Sequence, residues 1–148
     1  MQSIWRPGVT LDDIRRSIHD TMAEHLGIEL TELGPDFLAG TMPVTGRSCQ
    51  PMRALHGGAS AAFAETLASL GANFVLPTTD ERCVGQELNA NHLRPVFEGG
   101  VVRGVTRPVH IGNRSQVWNI ELFDDQSRLV CVSRLTLAVI KLHNARAR

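Results

Sequence analysis

The sequence lacks an excess of charge of either sign, because its 15 basic residues equal its 15 acidic residues. Nucleic-acid-binding proteins usually carry a basic surplus, so this balance argues against a nucleic-acid partner. The sequence also lacks an apolar run near the roughly 20 residues that cross a bilayer, and residues 1–13 contain no apolar signal core. We therefore expect no membrane association and a cytoplasmic location.

Cysteine is scarce and scattered. Cys49, Cys83 and Cys131 lie far apart and form no Cys-x-x-Cys pair, which argues against a zinc knuckle or a redox pair. The six histidines show no metal-ligand spacing. No P-loop, dinucleotide-binding glycine pattern or Gly-x-Ser-x-Gly elbow occurs. We expect reduced thiols in or near the core, no metal and no cofactor.

What the chain does contain is an ordinary globular composition. Of its 148 residues, 43% are apolar and 20% are charged, a balance typical of globular proteins. This length suits one domain that can bury a full core without disulfides. We find no repeat, low-complexity tract or linker, and so predict one domain over residues 1–148, with a loosely held tail at residues 141–148.

The first part of the chain predicts a helix followed by extended structure. Apolar residues at helical spacing follow Thr10, a good N-cap residue, and predict an amphipathic helix over residues 11–26 that Gly27 ends. Residues 28–44 are expected to be extended and broken at one Gly-Pro pair, with a strand near residues 37–43. A polar loop follows.

The most apolar segment is HGGASAAFAETLASLGANFVL, residues 56–76. Its alanines and leucines favour a helix, which Gly57 and Gly58 open and Pro77 closes. Because few charges fall inside the segment, we expect this helix to be buried nearly all round.

After this helix the pattern becomes that of antiparallel strands. The segments with alternating or β-branched residues are 82–92, 101–110, 116–122 and 129–140, and the last two flank a turn signal at residues 124–127. An antiparallel sheet has one face to bury, and the apolar helix is the obvious element to cover it. The predicted fold is α+β, an antiparallel sheet wrapped round one long central helix, with a short N-terminal helix.

Glu65 stands out because it lies inside the apolar helix, where an unpaired buried carboxylate is costly unless it is paired, protonated or functional. Periodicity alone leaves open that it lies on one exposed stripe of the helix. Ser69 follows four residues later, so its hydroxyl shares a face with Glu65. That hydroxyl could hold the carboxylate or a water, although Ser69 could equally be a small residue in a tight helix.

His56, Gly57 and Gly58 lead into the same helix. The first amides of a helix have no intrahelical acceptor and carry the positive end of the helix dipole, and glycine lets an oxyanion approach the backbone closely. This is the chemistry of an oxyanion hole. The alternative is that the glycines only form a tight turn. Gln50 could add a side-chain donor, or it could be an exposed loop residue.

A distance along the helix constrains any mechanism that uses both features. Gly57 and Glu65 are eight residues apart, which is roughly 12 Å at about 1.5 Å per residue. One small carbonyl cannot touch both groups of one chain. If both act, the oxyanion amide must come from one chain and the carboxylate from another, so we expect a homo-oligomer with antiparallel central helices.

Two later segments combine basic residues with strand ends and turns. They are NANHLRP, residues 89–95, and RPVHIGNRS, residues 107–115. Gly112 and Asn113 form a turn whose amides could face a phosphate beside Arg114. Solvated strand ends are the alternative, but two such segments in one small domain favour a phosphorylated ligand.

The same residues resemble the hotdog-fold thioesterases of the PaaI-like superfamily. The matching stretches include HLGI (25–28), QP…LHGGASAAFAETLAS (50–69), VGQELNANHLRPV (84–96) and residues 110–140. Within this family the chain is similar to the enterobactin-synthesis proofreading thioesterases and the 1,4-dihydroxy-2-naphthoyl-CoA thioesterases. The Gln, His-Gly-Gly, Glu and Ser of the central stretch all fall at the family spacing.

The resemblance implies roles for the residues of the central stretch. Glu65 would be the nucleophile or general base, with Ser69 assisting it or its water. The Gly57 N–H and Gln50 would polarise the thioester carbonyl, and His56 would help to position the thioester. The implied fold is the hotdog, usually assembled as a homotetramer of two dimers.

The resemblance also implies a binding region for the CoA or pantetheine arm of the substrate. The residues that match it are Gly85, His92, Leu93, Arg94, Pro95, His110, Ile111, Gly112, Asn113, Arg114 and Ser115. The implied substrates are thioesters of CoA or of an acyl-carrier protein, with an aromatic acyl group. Relatives often have Phe-Gly where this chain has Met52 and Arg53, and an arginine there can alter the substrate entrance.

Two other functions compete with thioester hydrolysis. A non-catalytic acyl-CoA-binding module would have no use for a carboxylate aimed at the carbonyl. A hotdog hydratase or dehydratase would usually pair a His with an Asp or Glu for proton transfer at the β-carbon. A carboxylate inside an apolar helix, two turns beyond its Gly-Gly start, favours the hydrolase.

Overall fold

The computed structural model describes residues 3–142, so most of the predicted loose tail lies outside the described residues. Six antiparallel strands form one sheet in the order β1-β2-β4-β5-β6-β3. The strands are β1 Glu29–Leu33, β2 Leu38–Pro43, β3 Glu81–His92, β4 Val101–Ile111, β5 Ser115–Phe123 and β6 Leu129–Lys141. One long helix packs against this sheet, which confirms the predicted α+β architecture.

The predicted N-terminal helix over residues 11–26 is wrong as a single element. It is two short helices, α1 Leu11–Arg16 and α2 Met22–His25. Thr10 caps α1 as predicted, by accepting from the Asp13 N–H at 3.2 Å. Between the helices the Ser17 hydroxyl donates to a backbone carbonyl and Asp20 takes a left-handed φ of 57°. Such local side-chain hydrogen bonds compete with the helical pattern and end it early.

The long helix α3 spans Gly57–Phe74 and crosses strands β2 to β6. It approaches the sheet closely at two glycines. A Cβ on Gly71 would lie 2.7 Å from the Trp118 ring, and a Cβ on Gly104 of β4 would lie 2.5 Å from Leu67 of the helix. These glycines allow Leu67 and Trp118 to be fully buried, so the small residues of the sequence set the distance between helix and sheet.

The expectation that α3 is buried nearly all round does not hold for the single chain. Its inner face is buried at Phe63, Ala64 and Leu67, but Gly58 and Glu65 on its outer face are exposed. The sheet covers one side of the helix, and within residues 3–142 the face that carries Gly58 and Glu65 is left exposed. The small residues that the sequence places on both faces therefore indicate a surface against which a further element can pack.

Strand β3 is an edge strand, with β6 as its neighbour on one side. The register of this pair shifts between Gly85 and Glu87. Because a bulge changes which residues face inward, Cys83 and Gly85 lie towards α3 before the shift, and Leu88 and Ala90 pack against the core after it. The bulge therefore keeps the full length of β3 in contact with the helix.

Gln116 is fully buried, although glutamine side chains are mostly exposed in proteins. In the structure Gln116 and Trp118 both lie on the inner face of β5 and are fully buried. The Gln116 side chain accepts from the Trp118 Nε1–H at 2.8 Å and donates to the Ala72 carbonyl of α3 at 3.3 Å. A buried amide is tolerated because both of its polar ends are paired.

The cysteines are free thiols, as predicted. Cys83 and Cys131 are buried, and Cys49 is half-buried. Burial raises the pKa of the Cys83 thiol to about 11 and also raises the pKa of the Cys131 thiol. Among the described helices, none is long and apolar enough to cross a membrane.

The predicted turn at residues 124–127 joins β5 to β6 and is organised by the Asp124 carboxylate. Its Oδ1 accepts from the N–H groups of Gln126 at 3.0 Å and Arg128 at 2.8 Å, and its Oδ2 accepts from the Arg128 guanidinium at 2.8 Å. Burial tends to raise the pKa of this carboxyl, but the hydrogen bonds and charge of Arg128 and the Gln126 N–H outweigh burial and leave the pKa below its ordinary value.

We predict that Asp124→Asn lowers the thermal midpoint at neutral pH by several degrees. A carboxyl whose pKa is lowered by folding stabilises the folded state above its unfolded pKa of about 3.9, and this contribution is lost as pH falls through the lower folded value. The difference in midpoint between wild type and variant should therefore shrink on acidification below pH ~4. Thermal denaturation followed by circular dichroism at several pH values measures the midpoint of each protein and its pH dependence. A difference that does not depend on pH would contradict this account.

Candidate functional site

The N-terminus of α3 presents a single available backbone amide. His56 is the N-cap residue, and its Nδ1 accepts from the Gly58 N–H at 2.8 Å. Within residues 3–142 no protein group accepts from the Gly57 N–H. The His56 side chain therefore accepts a hydrogen bond from one helix amide, that of Gly58. The Gly57 N–H, at the positive end of the helix dipole, can donate to an external oxygen.

Gln50 lies in the loop that precedes α3 and is half-buried. Its backbone N–H donates to the Ala54 carbonyl at 2.8 Å, and its backbone carbonyl accepts from the Arg53 N–H at 2.9 Å. Its side-chain Oε1 accepts from the Met52 N–H at 2.6 Å. Because the oxygen end of the amide is engaged, the NH₂ end can donate to a ligand.

These donors face a pocket of about 390 Å³ at one end of α3. The predicted site residues that line it are Gln50, Gly57, His92, Leu93, Arg94 and Pro95. The other lining residues, which sequence reasoning did not single out, are Ala54, Leu55, Ser60, Val96 and Val130. Of these, Ser60 had a usable signal, because it lies three residues after Gly57 and shares its helix face.

Glu65 is on the exposed face of α3, next to β3. A Cβ added to Gly85 would lie 2.5 Å from the Glu65 Oε1, so the carboxylate occupies the space that a side chain at position 85 would fill. The sequence left open whether Glu65 is exposed, and in the single chain it is. The structure brings Glu65 and Gly85 together but keeps both out of the pocket at Gln50.

Ser69 lies one turn beyond Glu65, as the spacing predicts, and lines a second pocket of about 460 Å³. The pocket is apolar at Leu70, Phe74 and Val84, and its polar lining residues are Arg6, Ser17, Ser69, Asn73, Thr79 and Arg82. Cys83 completes the lining. This pocket therefore lies beside the carboxylate, at the opposite end of α3 from Gly57.

The predicted site residues divide between the two ends of the sheet. His92 pairs with Cys131 of β6, and Val84 pairs with Ala138, which also pairs with Ser115. Ala138 is seven residue positions along β6 from Cys131, which is roughly 24 Å at ~3.4 Å per residue. We call the two sets the Gln50 half (Gln50, His56, Gly57 and 92–95) and the Glu65 half (Glu65, Ser69, Gly85 and 110–115).

The segment His92 to Pro95 is fixed by β6. The N–H groups of Leu93 and Arg94 both donate to the Val130 carbonyl, at 2.8 and 3.4 Å. The Arg94 Nη1 donates to the Leu129 carbonyl at 2.6 Å. The guanidinium is therefore held at the mouth of the first pocket, with its remaining donors available to an anion.

The turn at residues 111–115 is closed by its own backbone. The Gly112 N–H donates to the Ser115 carbonyl at 3.0 Å, so this amide does not face a ligand, contrary to expectation. A Cβ on Gly112 would lie 2.4 Å from the His110 ring, so the histidine packs against the turn. Arg114 is exposed beside it, whereas the Arg107 guanidinium lies 4.7 Å from the Phe37 ring centroid and serves packing.

Comparison with known proteins identifies the family. The model of the thioesterase superfamily matches residues 52–131. The chain belongs to this superfamily. It is 49% identical over 138 residues to the proofreading thioesterase EntH of Cronobacter turicensis, covering 93% of this chain and 98% of that protein. It is therefore an enzyme that hydrolyses thioesters, and the non-catalytic binding module and the hydratase are not favoured.

Solved structures confirm the hotdog thioesterase fold. The thioesterase HI1161 of Haemophilus influenzae superposes with a TM-score of 0.90 at 40% identity, covering 97% of this chain and 99% of that one. The PaaI protein of Escherichia coli superposes with a TM-score of 0.78 at 23% identity, covering 88% of this chain and 93% of that one, and shows the shared fold. The resemblance seen in the sequence is thus confirmed for family and architecture.

We predict that Gly85→Ala folds but loses activity. The added Cβ displaces the flexible Glu65 carboxylate rather than backbone, so the cost to stability is small. The sequence leads us to expect that Glu65 acts in catalysis, and misplacing a catalytic group by about 1 Å can cost up to ~10² in rate, so kcat should fall at least about tenfold. Steady-state kinetics on a thioester substrate and a thermal melt measure the two effects. Arg103→Ala, which removes an exposed ion pair with Glu32 away from β3, is the control and should retain activity.

Proposed function

We propose that this thioesterase hydrolyses aromatic acyl groups carried on CoA or on an acyl-carrier protein, with Glu65 as nucleophile or general base. The proposal rests on two kinds of group, hydrogen-bond donors at the start of one helix and a carboxylate further along it. The Gly57 amide and the Gln50 NH₂ are donors suited to an oxyanion, and Glu65 is an exposed carboxylate in an otherwise apolar helix.

The proposal requires two chains in each site. Gly57 lies beside His92, since a Cβ there would be 3.0 Å from the His92 ring, whereas Glu65 lies beside Gly85. The roughly 12 Å along the helix between Gly57 and Glu65 prevents one carbonyl from contacting both within one chain. A two-fold axis at the β3 edge would place the Glu65 half of one chain against the Gln50 half of the other.

The exposed surfaces of the chain support such an assembly. Strand β3 is a 12-residue edge strand, and most of its residues are exposed. Long unpaired edges are normally covered in native proteins, because their free N–H and C=O groups recruit further strands. Pairing of two β3 strands would cover this edge and bring the exposed faces of two α3 helices together. From the family resemblance, we propose that two such dimers form the homotetramer.

In this arrangement the CoA or pantetheine arm contacts both chains. His92, Leu93, Arg94 and Pro95 of one chain would line its path, and His110 to Ser115 of the other would flank its phosphate end. Arg94 and Arg114 supply the cations, because arginine donors suit phosphate oxygens. Gly112 would act by shaping the turn beside Arg114, since its own amide is taken within that turn.

The second pocket supports an aromatic acyl group. It begins at Ser69, one turn from Glu65, and contains the apolar side chains of Leu70, Phe74 and Val84. Its volume of about 460 Å³ is within the usual range for small-molecule sites. An aryl ring could enter this pocket while the thioester carbonyl stays at Glu65.

The single domain over residues 1–148 and the cytoplasmic location, both expected from the sequence, stay predictions.

We predict that Glu65→Gln lowers kcat by about 10² or more while folding and substrate binding are kept, because the change is nearly isosteric and removes only the base or nucleophile. Gln50→Ala should lower kcat less, since the Gly57 amide remains. Hydrolysis should be assayed with aryl-CoA and alkyl-CoA thioesters of matched size, and wild type should favour the aryl series. Near-wild-type turnover by folded Glu65→Gln would move the catalytic role to another residue.

We predict that two impaired variants regain activity when their chains are mixed. After unfolding and refolding together, Glu65→Gln and Gln50→Ala chains would form some sites with both intact halves, about a quarter of all sites if dimers form at random. The matched control is Glu65→Gln mixed with Gly85→Ala, because both changes lie in the Glu65 half and no mixed site is intact. Equal activity of the two mixtures would exclude a site shared between chains.

A further inference from the structure

The loop that presents Gln50 contains a residue in a costly backbone conformation. The Arg53 N–H donates to the Gln50 carbonyl at 2.9 Å, and the Gln50 N–H donates to the Ala54 carbonyl at 2.8 Å. This is a three-residue hairpin loop whose last residue must be left-handed, a place that glycine usually takes. Arg53 has a φ of 61° there, which an L side chain rarely adopts.

Another loop of the chain has the same geometry and shows how such a conformation is held. The Ser127 N–H donates to the Asp124 carbonyl at 3.0 Å, the Asp124 N–H donates to the Arg128 carbonyl at 3.0 Å, and Ser127 has a φ of 59°. In this loop the first residue, Asp124, uses both carboxylate oxygens to accept from Gln126 and Arg128. The loop is thus stabilised by its own first side chain.

Gln50 occupies the position of Asp124 but makes only one of these contacts. Its Oε1 accepts from the Met52 N–H at 2.6 Å, as Asp124 accepts from Gln126. The remaining restraint comes from outside the loop, where the Arg53 guanidinium forms a two-point ion pair with Glu98. The Nε donates to Oε2 at 2.8 Å, and the Nη2 donates to Oε1.

The ion pair lies at the end of a short series of backbone hydrogen bonds. These bonds connect the two segments that line the first pocket on opposite sides. The Leu55 N–H donates to the Val96 carbonyl at 2.7 Å, and the Glu98 N–H donates to the Arg53 carbonyl at 2.9 Å. Ala54 forms a bridge with Phe97 between them. The Gln50 loop is thereby tied to the chain that follows His92 to Pro95, the opposite wall of the pocket.

We infer that Arg53 and Glu98 are positioning residues for thioester hydrolysis, which hold the Gln50 loop so that the side-chain NH₂ stays directed at the substrate carbonyl. This rests on the proposed role of Gln50. The Arg53–Glu98 ion pair restrains the Gln50 loop from outside, whereas Asp124 restrains its own loop through its side chain. The Gln50 NH₂ is therefore not needed to hold the loop and can donate to the substrate. Both side chains are partly exposed, at 57% and 40%, and exposed ion pairs add little to stability, so the effect should be on rate rather than on folding.

The test is a set of variants measured for kcat, KM and thermal midpoint. Arg53→Ala and Glu98→Ala should each lower kcat about tenfold, the scale of a misplaced catalytic donor, with KM changed by less than about twofold. The thermal midpoint should stay close to that of wild type. The exchange Arg53→Glu with Glu98→Arg should recover part of the lost kcat. Ser127→Ala, at the matching position of the other loop, and Arg103→Ala, from an exposed pair with Glu32, should leave kcat unchanged.

A double-mutant cycle separates this inference from the proposed function. Combining Arg53→Ala with Gln50→Ala should lower kcat no further than Gln50→Ala alone, because the ion pair acts through Gln50. An undiminished extra loss in that background would overturn the inference, as would an Arg53→Ala variant with wild-type kcat when Gln50→Ala is impaired. If Gln50→Ala itself has wild-type kcat, the proposed role of Gln50 fails, and the role of Arg53 fails with it.

Discussion

The rigidity of α3 is the constraint on which the rest of the site depends. A straight helix keeps Gly57 and Glu65 roughly 12 Å apart whatever the surrounding residues do. Close packing of Gly71 on Trp118 and of Leu67 over Gly104 fixes that helix on the sheet. One chain therefore holds the Gly57 amide and the Glu65 carboxylate too far apart to contact one carbonyl, and this separation is the reason for proposing a site shared between two chains.

The two ends of α3 have different surroundings on the sheet. At the Gln50 end, loops tied to Val96 and Val130 form a pocket with donors already in place. At the Glu65 end, the edge strand β3 contributes a glycine, Gly85, and the carboxylate occupies the space that a side chain there would fill. The donors and the carboxylate thus lie in different surroundings, the donors at a pocket between loops and the carboxylate on an exposed helix face beside an edge strand.

Much of the fold could be predicted from the sequence because its signals are local. The Thr10 cap, the Gly-Gly start of α3 and the turn at residues 124–127 all act over a few residues. The break between α1 and α2 was missed because it depends on hydroxyl hydrogen bonds from Ser17 and Thr21 to backbone carbonyls, which periodicity does not report. The burial of Gln116 was missed because it depends on Trp118 and Ala72, and Ala72 is 44 residues away.

The candidate site was predictable in part for the same reason. The spacing of Gly57, Glu65 and Ser69 along one helix follows from sequence alone, whereas the contact of Glu65 with Gly85 requires the tertiary fold. Likewise, a sequence can show that Arg53 is unusual, but only the structure shows its positive φ and its partner Glu98, 45 residues away.

The side chain of Asn73 restricts how any further strand can join the sheet. Its Oδ1 accepts from the Cys83 N–H at 3.0 Å, and its Nδ2 donates to the Cys83 carbonyl at 3.0 Å. One amide thus takes the place of a neighbouring strand at the start of β3. An incoming strand can add its ladder only beyond Cys83, so the helix itself limits the alignments open to a second chain. In the folded chain, the same amide shields one end of an edge that would otherwise be available for indiscriminate pairing.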